Sequence, residues 1–249
     1  MFTFYTNMKI IPCSNTQQNN PTFGSRMNPV PPFKILTPQG ALSIEEVNYN
    51  KISRKFIKNI TEFFCDNFSK DTNDPNWLKY NRFSKREKKD FIDQFKQYYE
   101  YSITDPSEQH VTLLIAKDSN KNIQGACLSF GCDDVPGAKY NTLYIDSLAV
   151  NKKYRGNNIA KIMLEKSIET GRHIFTDVFL TGEKVADGFY KKLGFRDLTP
   201  DNPNEAKIIN HVAKQRQDYP KYTSFLTKPI QEKRPRWYDI CAKNPKLKD

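Results

Sequence analysis

The stretch LYIDSLAVNKKYRGNNIAKIML, Leu143 to Leu164, changes its period halfway. Its first part is a β-branched and aromatic run that reads as a strand over 142–150. Beyond Lys152 the apolar residues recur at helical spacing. A helix is expected over about 158–170, with Ile159, Ile162, Met163 and Ile168 on one face and a stop at Gly171. Between strand and helix stand Arg155, Gly156, Asn157 and Asn158. A strand that feeds a helix through a short polar turn gathers unpaired backbone N–H groups at one point, and the helix dipole adds its positive end there. Arg155 adds charge-assisted hydrogen bonds, each worth roughly 1.5–3 kcal/mol, and Gly156 lets the backbone approach closely or take a positive φ. A phosphate or pyrophosphate suits such a turn. Glycine as a turn former and asparagine as a helix cap would explain the same residues without a ligand, so the turn alone does not decide.

The surrounding segments supply a fold. FKILTP reads as a first short strand, and Ile52, Phe56, Ile57, Ile60, Phe63, Phe64 and Phe68 mark one amphipathic helix. A second helix is expected from Ser84, where Ser84 and Glu87 form a capping box, with Phe91, Ile92, Phe95, Tyr98 and Tyr99 as its buried face. HVTLLIA and IQGACLSF, separated by Asp118-Ser119-Asn120, read as an antiparallel hairpin. After the central stretch come a strand HIFTDVFL, a helix GEKVADGFYKKLGF ending at Gly194, a short strand near Phe195, a helix EAKIINHVAKQ and a last strand YTSFLT. Helices followed by β-β-β-α-β-α-β imply an α/β (α+β) domain, a single mixed sheet covered by helices.

That domain is assigned to residues 33–230. Residues 1–32, rich in Asn, Gln, Ser and Pro over 13–32, are expected to be a flexible arm, because such a segment buries too little to offset its ordering entropy. Residues 231–249, rich in Lys and Pro, are expected to be a basic tail.

Composition bounds the function. The 249 residues carry a net charge of +11, with 37% hydrophobic and 13% aromatic residues. That balance allows one packed core and points to polyanionic ligands. The five cysteines, Cys13, Cys65, Cys127, Cys132 and Cys241, include no C-x-x-C pair, which argues against a zinc site or a disulfide framework and fits a reducing, cytoplasmic compartment. The amino-terminal run lacks the features of an export signal, and no apolar run approaches the roughly 18 residues of a membrane span. No P-loop, dinucleotide-binding, zinc-protease or serine-hydrolase motif is present, and no metal is expected.

Two segments carry a family resemblance. IDSLAVNKKYRGNNIAKIMLEKSI is similar to the central motif of the GNAT superfamily of acetyl-CoA-dependent N-acetyltransferases: a strand ending L-A-V, then Arg or Gln, two residues, Gly, one residue, and Gly or Ala opening a helix. ADGFYKKLGF resembles the second signature of that family through Ala186, Tyr190, Gly194 and Phe195. Two positions depart from the pattern. Asn158 stands where the second glycine is usual, and Glu183 stands seven residues before the tyrosine, where the family often has Asn. Asn tolerates left-handed backbone better than most residues.

The resemblance implies an acyl-CoA N-acyltransferase-like fold, a mostly antiparallel sheet of about six to seven strands, and acetyl-CoA as co-substrate. The pantetheine arm would lie along Leu148, Ala149 and Val150, and the pyrophosphate on Arg155, Gly156, Asn157, Asn158, Ile159 and Ala160. The amine would attack the thioester directly, with the Leu148 N–H facing the developing oxyanion. Tyr190, a phenol of ordinary pKa about 10, is the candidate proton donor to the leaving thiolate. Asp146 is the candidate base; strand alternation would put it on one face with Tyr144, Leu148 and Val150. Presenting a lysine as free amine at pH 7 costs about 4.6 kcal/mol, against about 1 kcal/mol for an α-amine, so a lysine acceptor needs that base more. Holding the ammonium of the substrate is the alternative role for Asp146, and Tyr144 is a lesser candidate for substrate contact.

The amine acceptor would be met by the helices of 52–100, the loop GCDDVPGAKYN with Asp133 and Asp134, and the region after 198. A basic chain favours a protein or peptide amine over a polyamine, which it would repel. The competing reading is a module on the same fold that binds acyl-CoA or nucleic acid without turnover, with KYNRFSKREKKDF as the basic, aromatic surface.

Overall fold

The strand expected over 142–150 has those bounds and lies inside a single sheet. The computed structural model describes residues 30–47, 52–69, 112–131, 142–171, 175, 177–215 and 223–230, together with scattered helical positions between 85 and 97. Among the described residues there are eight strands: β1 (Phe33–Thr37), β2 (Gly40–Glu46), β3 (Thr112–Lys117), β4 (Ile123–Gly131), β5 (Thr142–Val150), β6 (Asp177–Glu183), β7 (Arg196–Asp197) and β8 (Thr223–Pro229). They run β1-β2-β3-β4-β5-β6-β8-β7 across the sheet, with β5 and β6 parallel and every other pair antiparallel. Four helices accompany them: α1 (Arg54–Ser69), α2 (Ile159–Gly171), α3 (Asp187–Lys192) and α4 (Pro203–Gln215). The expected mixed, mostly antiparallel sheet flanked by helices is the fold, with one strand more than the sequence suggested.

That extra strand is β2. Its segment GALSIEE offers only Leu42 and Ile44 as large apolar residues, yet both are fully buried. It forms a hairpin with β1 and pairs with β3 on its other side. Its acidic end is satisfied from two directions. Glu45 pairs with Lys117 across the strands, and Glu46 accepts the N–H of Val30 at 2.8 Å. Burial pushes the Glu46 carboxyl above its usual range, and the Val30 bond offsets part of that rise. Val30, assigned to the arm from composition, is therefore buried against the core.

Three apolar clusters hold the layers together. The largest lies under α2, where Ile159, Met163 and Leu164 meet Leu114, Leu143, Ile145 and Leu180. The buried face of α2 thus continues through Leu164 and Ser167, whereas the expected Ile162 and Ile168 are only partly buried at its margin. On the other face of the sheet, Ile60 and Phe64 of α1 cover Leu113, Ile115, Ala126, Leu128 and Ala149. Ser53 caps α1 through a 3.1 Å bond from the Phe56 N–H, a contact worth about 1 kcal/mol. The third cluster gathers Phe179, Leu198, Ile208 and Phe225 beneath α4.

Of the helix expected from Ser84, the described positions are helical, but its predicted buried face lies outside the described residues. So do residues 1–29, the Asp133–Asp134 loop and the tail 231–249. The helix expected over GEKVADGFYKKLGF is divided: Glu183 ends β6, Lys184–Ala186 form a 3-10 turn, and only Asp187–Lys192 are α-helical. No helix of the described residues is long and apolar enough to cross a membrane.

Candidate active site

The parallel strands β5 and β6 are paired over four positions only, from Thr142↔Asp177 to Ile145↔Leu180. Beyond that point their ladder stops, while β5 continues to Val150 and β6 to Glu183. A single irregularity in β5 accompanies the parting. Ser129 of β4 faces Ile145 and the adjacent Leu128 faces Ser147, so Asp146 is an inserted residue, a β-bulge.

The bulge corrects one expectation. Strict alternation would put Tyr144, Asp146, Leu148 and Val150 on one face. Before the bulge, Leu143 and Ile145 pack under α2 while Tyr144 joins Phe179 on the opposite face. After it, Leu148 and Val150 are the residues that pack under α2, and Ala149 turns toward α1. One extra residue reverses the parity of the strand. The Asp146 and Ser147 side chains lie together, with Ser147 Oγ donating to Asp146 Oδ2 at 2.8 Å. Tyr144 is half-buried, stacked on Phe179 with ring centroids 5.5 Å apart and bonded through its hydroxyl to Thr181 Oγ1 at 3.1 Å.

Tyr190 packs against β6. A Cβ on Gly182 would stand 3.3 Å from Tyr190 Cε2, so the absence of a side chain there lets the ring lie on the strand two residues past the last pair with β5. Phe189 and Phe195 hold that ring edge-on, at 5.0 and 5.7 Å. Helix α3 is pinned at both ends. Asp187 Oδ2 accepts the Ser224 hydroxyl at 2.9 Å, and Lys228 Nζ donates to the Leu193 carbonyl at 2.5 Å.

At the far end of β5, the start of the polar turn is fixed by a side-chain relay. Asp118 Oδ2 accepts from Gln124 Nε2 at 2.8 Å, Gln124 Oε1 accepts from Asn151 Nδ2 at 2.9 Å, and Asn151 Oδ1 accepts the Lys153 N–H at 3.3 Å. Tyr154, 5% exposed, plants the turn in the core. Arg155 Nε donates to the Val150 carbonyl at 2.9 Å and ties the turn back to the strand end.

Two residues of the turn are left-handed, Gly156 at φ 84° and Asn158 at φ 59°. Asparagine thus takes the conformation for which glycine is usual, as its tolerance of that region allows. The first intrahelical bond of α2 runs from the Ile162 N–H to the Asn158 carbonyl, which leaves the N–H groups of Ile159, Ala160 and Lys161 without helical partners. Asn158 does not cap them: among the described residues no side chain accepts from these groups. Asn157 is occupied elsewhere, its Nδ2 donating to the Tyr154 carbonyl and to Gln39 Oε1, both at 3.1 Å. A row of backbone donors at a helix start, beside a guanidinium, is an anion-binding arrangement.

Leu148, Ala149 and Val150 thus lie on β5 beyond its last pair with β6, Asp146 stands on the bulge where that pairing ends, Tyr190 packs on Gly182 of β6, and the turn 155–160 follows β5. Sequence reasoning missed Gln39, which lies 118 residues from its partner. A turn at Pro38-Gln39-Gly40 is readable from composition, but its contact with Asn157 is not.

Cys127 lies opposite Leu148 on β4. Burial pushes its thiol up to about 12, the nearby charge of Asp146 adds to the rise, and a hydrogen bond with Ser167 opposes it. It is a poor nucleophile at neutral pH.

The architecture and the sequence both find relatives. Residues 74–195 match the model of the acetyltransferase (GNAT) family. A solved structure of a protein from Pyrococcus horikoshii OT3 is 15% identical and superposes with a TM-score of 0.50, covering 76% of this chain and 98% of its own. An acetyltransferase of the GNAT family from Staphylococcus aureus Mu50 is 19% identical, with a TM-score of 0.46 over 76% of this chain and 99% of its own. PaiA N-acetyltransferase from Thermoplasma acidophilum, solved in complex with coenzyme A, is 15% identical, with a TM-score of 0.46 over 75% and 98%. At 15% identity and a TM-score of 0.50, the likeness to the Pyrococcus protein is one of fold. No curated protein matches the sequence.

Proposed function

Because residues 74–195 belong to the acetyltransferase (GNAT) family, we propose that the protein is an N-acetyltransferase that moves an acetyl group from acetyl-CoA to a primary amine by direct attack. The observation that carries this reading is the opening between β5 and β6, bordered at one end by a turn with uncapped helix N–H groups. Bound acetyl-CoA supplies the activated acetyl thioester. The chain's own residues do the rest. Arg155 and the N–H groups of Ile159 and Ala160 hold the pyrophosphate, with Gly156, Asn157 and Asn158 shaping the backbone around it. Leu148, Ala149 and Val150, unpaired with β6, offer backbone groups to the pantetheine amides as an added strand would.

Asp146, on the bulge where the strands part, takes the proton from the incoming ammonium or holds it in place. The Leu148 N–H faces the developing oxyanion. Tyr190, held from the β6 side, returns a proton to the leaving thiolate. Cys127 stays a thiol throughout, which favours direct transfer over an acetylated cysteine. The acceptor is a protein or peptide amine, in keeping with a net charge of +11 that repels a free polyamine, and the reaction is cytoplasmic.

Thermal unfolding in the presence of acetyl-CoA, free CoA or ATP tests the site. At about 100 times its Kd a specific ligand adds roughly 2.7 kcal/mol to stability. A rise in Tm with acetyl-CoA and CoA but not with ATP is expected; no rise with any of them would remove the acetyltransferase reading and leave only the fold. Transfer of radiolabelled acetyl to a peptide library then separates an enzyme from a module that binds without turnover.

A further inference from the structure

We propose that Gln39, at the tip of the β1–β2 hairpin, is a positioning residue for the cofactor end of this site, keeping the anion-binding turn open by holding the side chain of Asn157 away from the start of α2. The proposal rests on the acetyl-CoA reading given above and adds to it an element that the family motifs do not contain.

The hairpin is built to deliver this contact. Its tip is tightened by Thr37 Oγ1, which donates to the Gly40 carbonyl at 2.7 Å and accepts the Gln39 N–H at 3.2 Å. Its strand β1 packs Phe33 and Ile35 against the main cluster, and Lys166 Nζ of α2 lies 5.9 Å from the Phe33 ring. The hairpin tip is therefore carried to the first turn of α2, where Gln39 Oε1 accepts from Asn157 Nδ2 at 3.1 Å.

Asn157 carries a side chain able to close the site. An asparagine readily bonds the backbone N–H two residues ahead, here that of Ile159, and so closes a helix start on itself. Such a bond would consume one of the donors left for the anion. In the structure both amide hydrogens of Asn157 are committed, to the Tyr154 carbonyl and to Gln39, and no side chain among the described residues accepts from Ile159, Ala160 or Lys161. The Gln39 bond selects the orientation in which the turn stays uncapped. Without it, self-capping competes with the ligand, and the apparent affinity falls by the fraction of molecules closed.

A double-mutant cycle on the full chain, with free CoA as probe, tests this. Gln39→Ala should weaken CoA binding about three- to tenfold, the scale of one net hydrogen bond, raising KM for acetyl-CoA while leaving kcat unchanged. In an Asn157→Ala background, where the side chain that Gln39 holds is gone, the same Gln39→Ala change should have no further effect on the Kd. Equal weakening in both backgrounds would make Gln39 a support of the hairpin only and overturn the proposal, as would wild-type affinity in Gln39→Ala. A wild-type protein that binds no CoA would instead overturn the reading of the site itself, and the proposal with it.

Discussion

Ile145 and Leu180 are the last residues joined across the parallel strands β5 and β6, and the residue after Ile145 is the bulged Asp146. An unpaired strand end inside a sheet is costly, since each buried backbone donor or acceptor without a partner loses about 1–3 kcal/mol. The gap is tolerable where a ligand can complete the ladder. The same bulge that ends the pairing brings Asp146 to the mouth of the gap and swings Leu148 and Val150 beneath α2. One inserted residue thus couples the position of a carboxylate to the position of the backbone groups beside it.

From the opposite bank, Tyr190 is set by packing on Gly182 and by two neighbouring rings. Replacing it with Phe keeps those ring contacts and removes only the hydroxyl. If that hydroxyl protonates the thiolate, Tyr190→Phe should lower kcat about 10²-fold with little change in KM or Tm. Steady-state kinetics on the folded variant decide; undiminished turnover would reduce Tyr190 to a packing residue.

Asp146 makes a different prediction, one of pH. A carboxylate base works when deprotonated, so its removal should lower kcat/KM at neutral pH and move the rising limb toward the pKa of the amine itself. Asp146→Asn, similar in size and still able to accept from Ser147, is the variant to use. A profile that falls in height without moving would assign Asp146 to holding the substrate ammonium.

Asn158 at φ 59° makes a prediction about stability. Glycine there should preserve the fold and the affinity for CoA, because it adopts the left-handed region freely. Alanine should cost about 1–2 kcal/mol, the penalty for forcing an ordinary L-residue into that conformation. Urea unfolding of the two variants gives the difference, and an alanine variant as stable as wild type would show that the turn relaxes to another backbone path.

How far the sequence carried this reading depends on range. Strands such as Thr142–Val150 and the helix starting at Ile159 were legible because their periods are local and their ends are marked by turn residues. Gly156 and Asn158 were legible as a turn for the same reason. The strand Gly40–Glu46 was not, since only Leu42 and Ile44 face the core and the charges of Glu45 and Glu46 beyond them are satisfied by Lys117 and the Val30 N–H, distant in the chain. The bulge at Asp146 was invisible because alternation assumes an unbroken register, and the register is set by β4. Gln39 failed on the same account: its meaning lies in Asn157, not in its own neighbours.

Cys127 offers the last prediction, which separates two mechanisms and carries a sign. The thiol is buried opposite Leu148, and burial, with the charge of Asp146 in addition, raises its pKa to about 12 against a hydrogen bond from Ser167. At pH 7 only about one part in 10⁵ would be thiolate on that scale, too little for a covalent acetyl-cysteine route. Cys127→Ala should therefore retain transfer activity within a few-fold, and a collapse of kcat in a folded variant would point to that route. The same shift couples folding to pH. In the unfolded chain the thiol ionises near its ordinary value of 9.0, whereas the folded chain keeps the proton up to about 12. Above pH 9 the unfolded state binds fewer protons, so stability present in full below that pH is lost as pH rises toward 12, by at most about 1.4 kcal/mol per unit. Lysines and tyrosines titrate over the same range, so the test is the difference between variants. The fall of unfolding free energy between pH 9 and 11 should be shallower in Cys127→Ala than in wild type, and parallel curves would mean that this thiol ionises alike in both states.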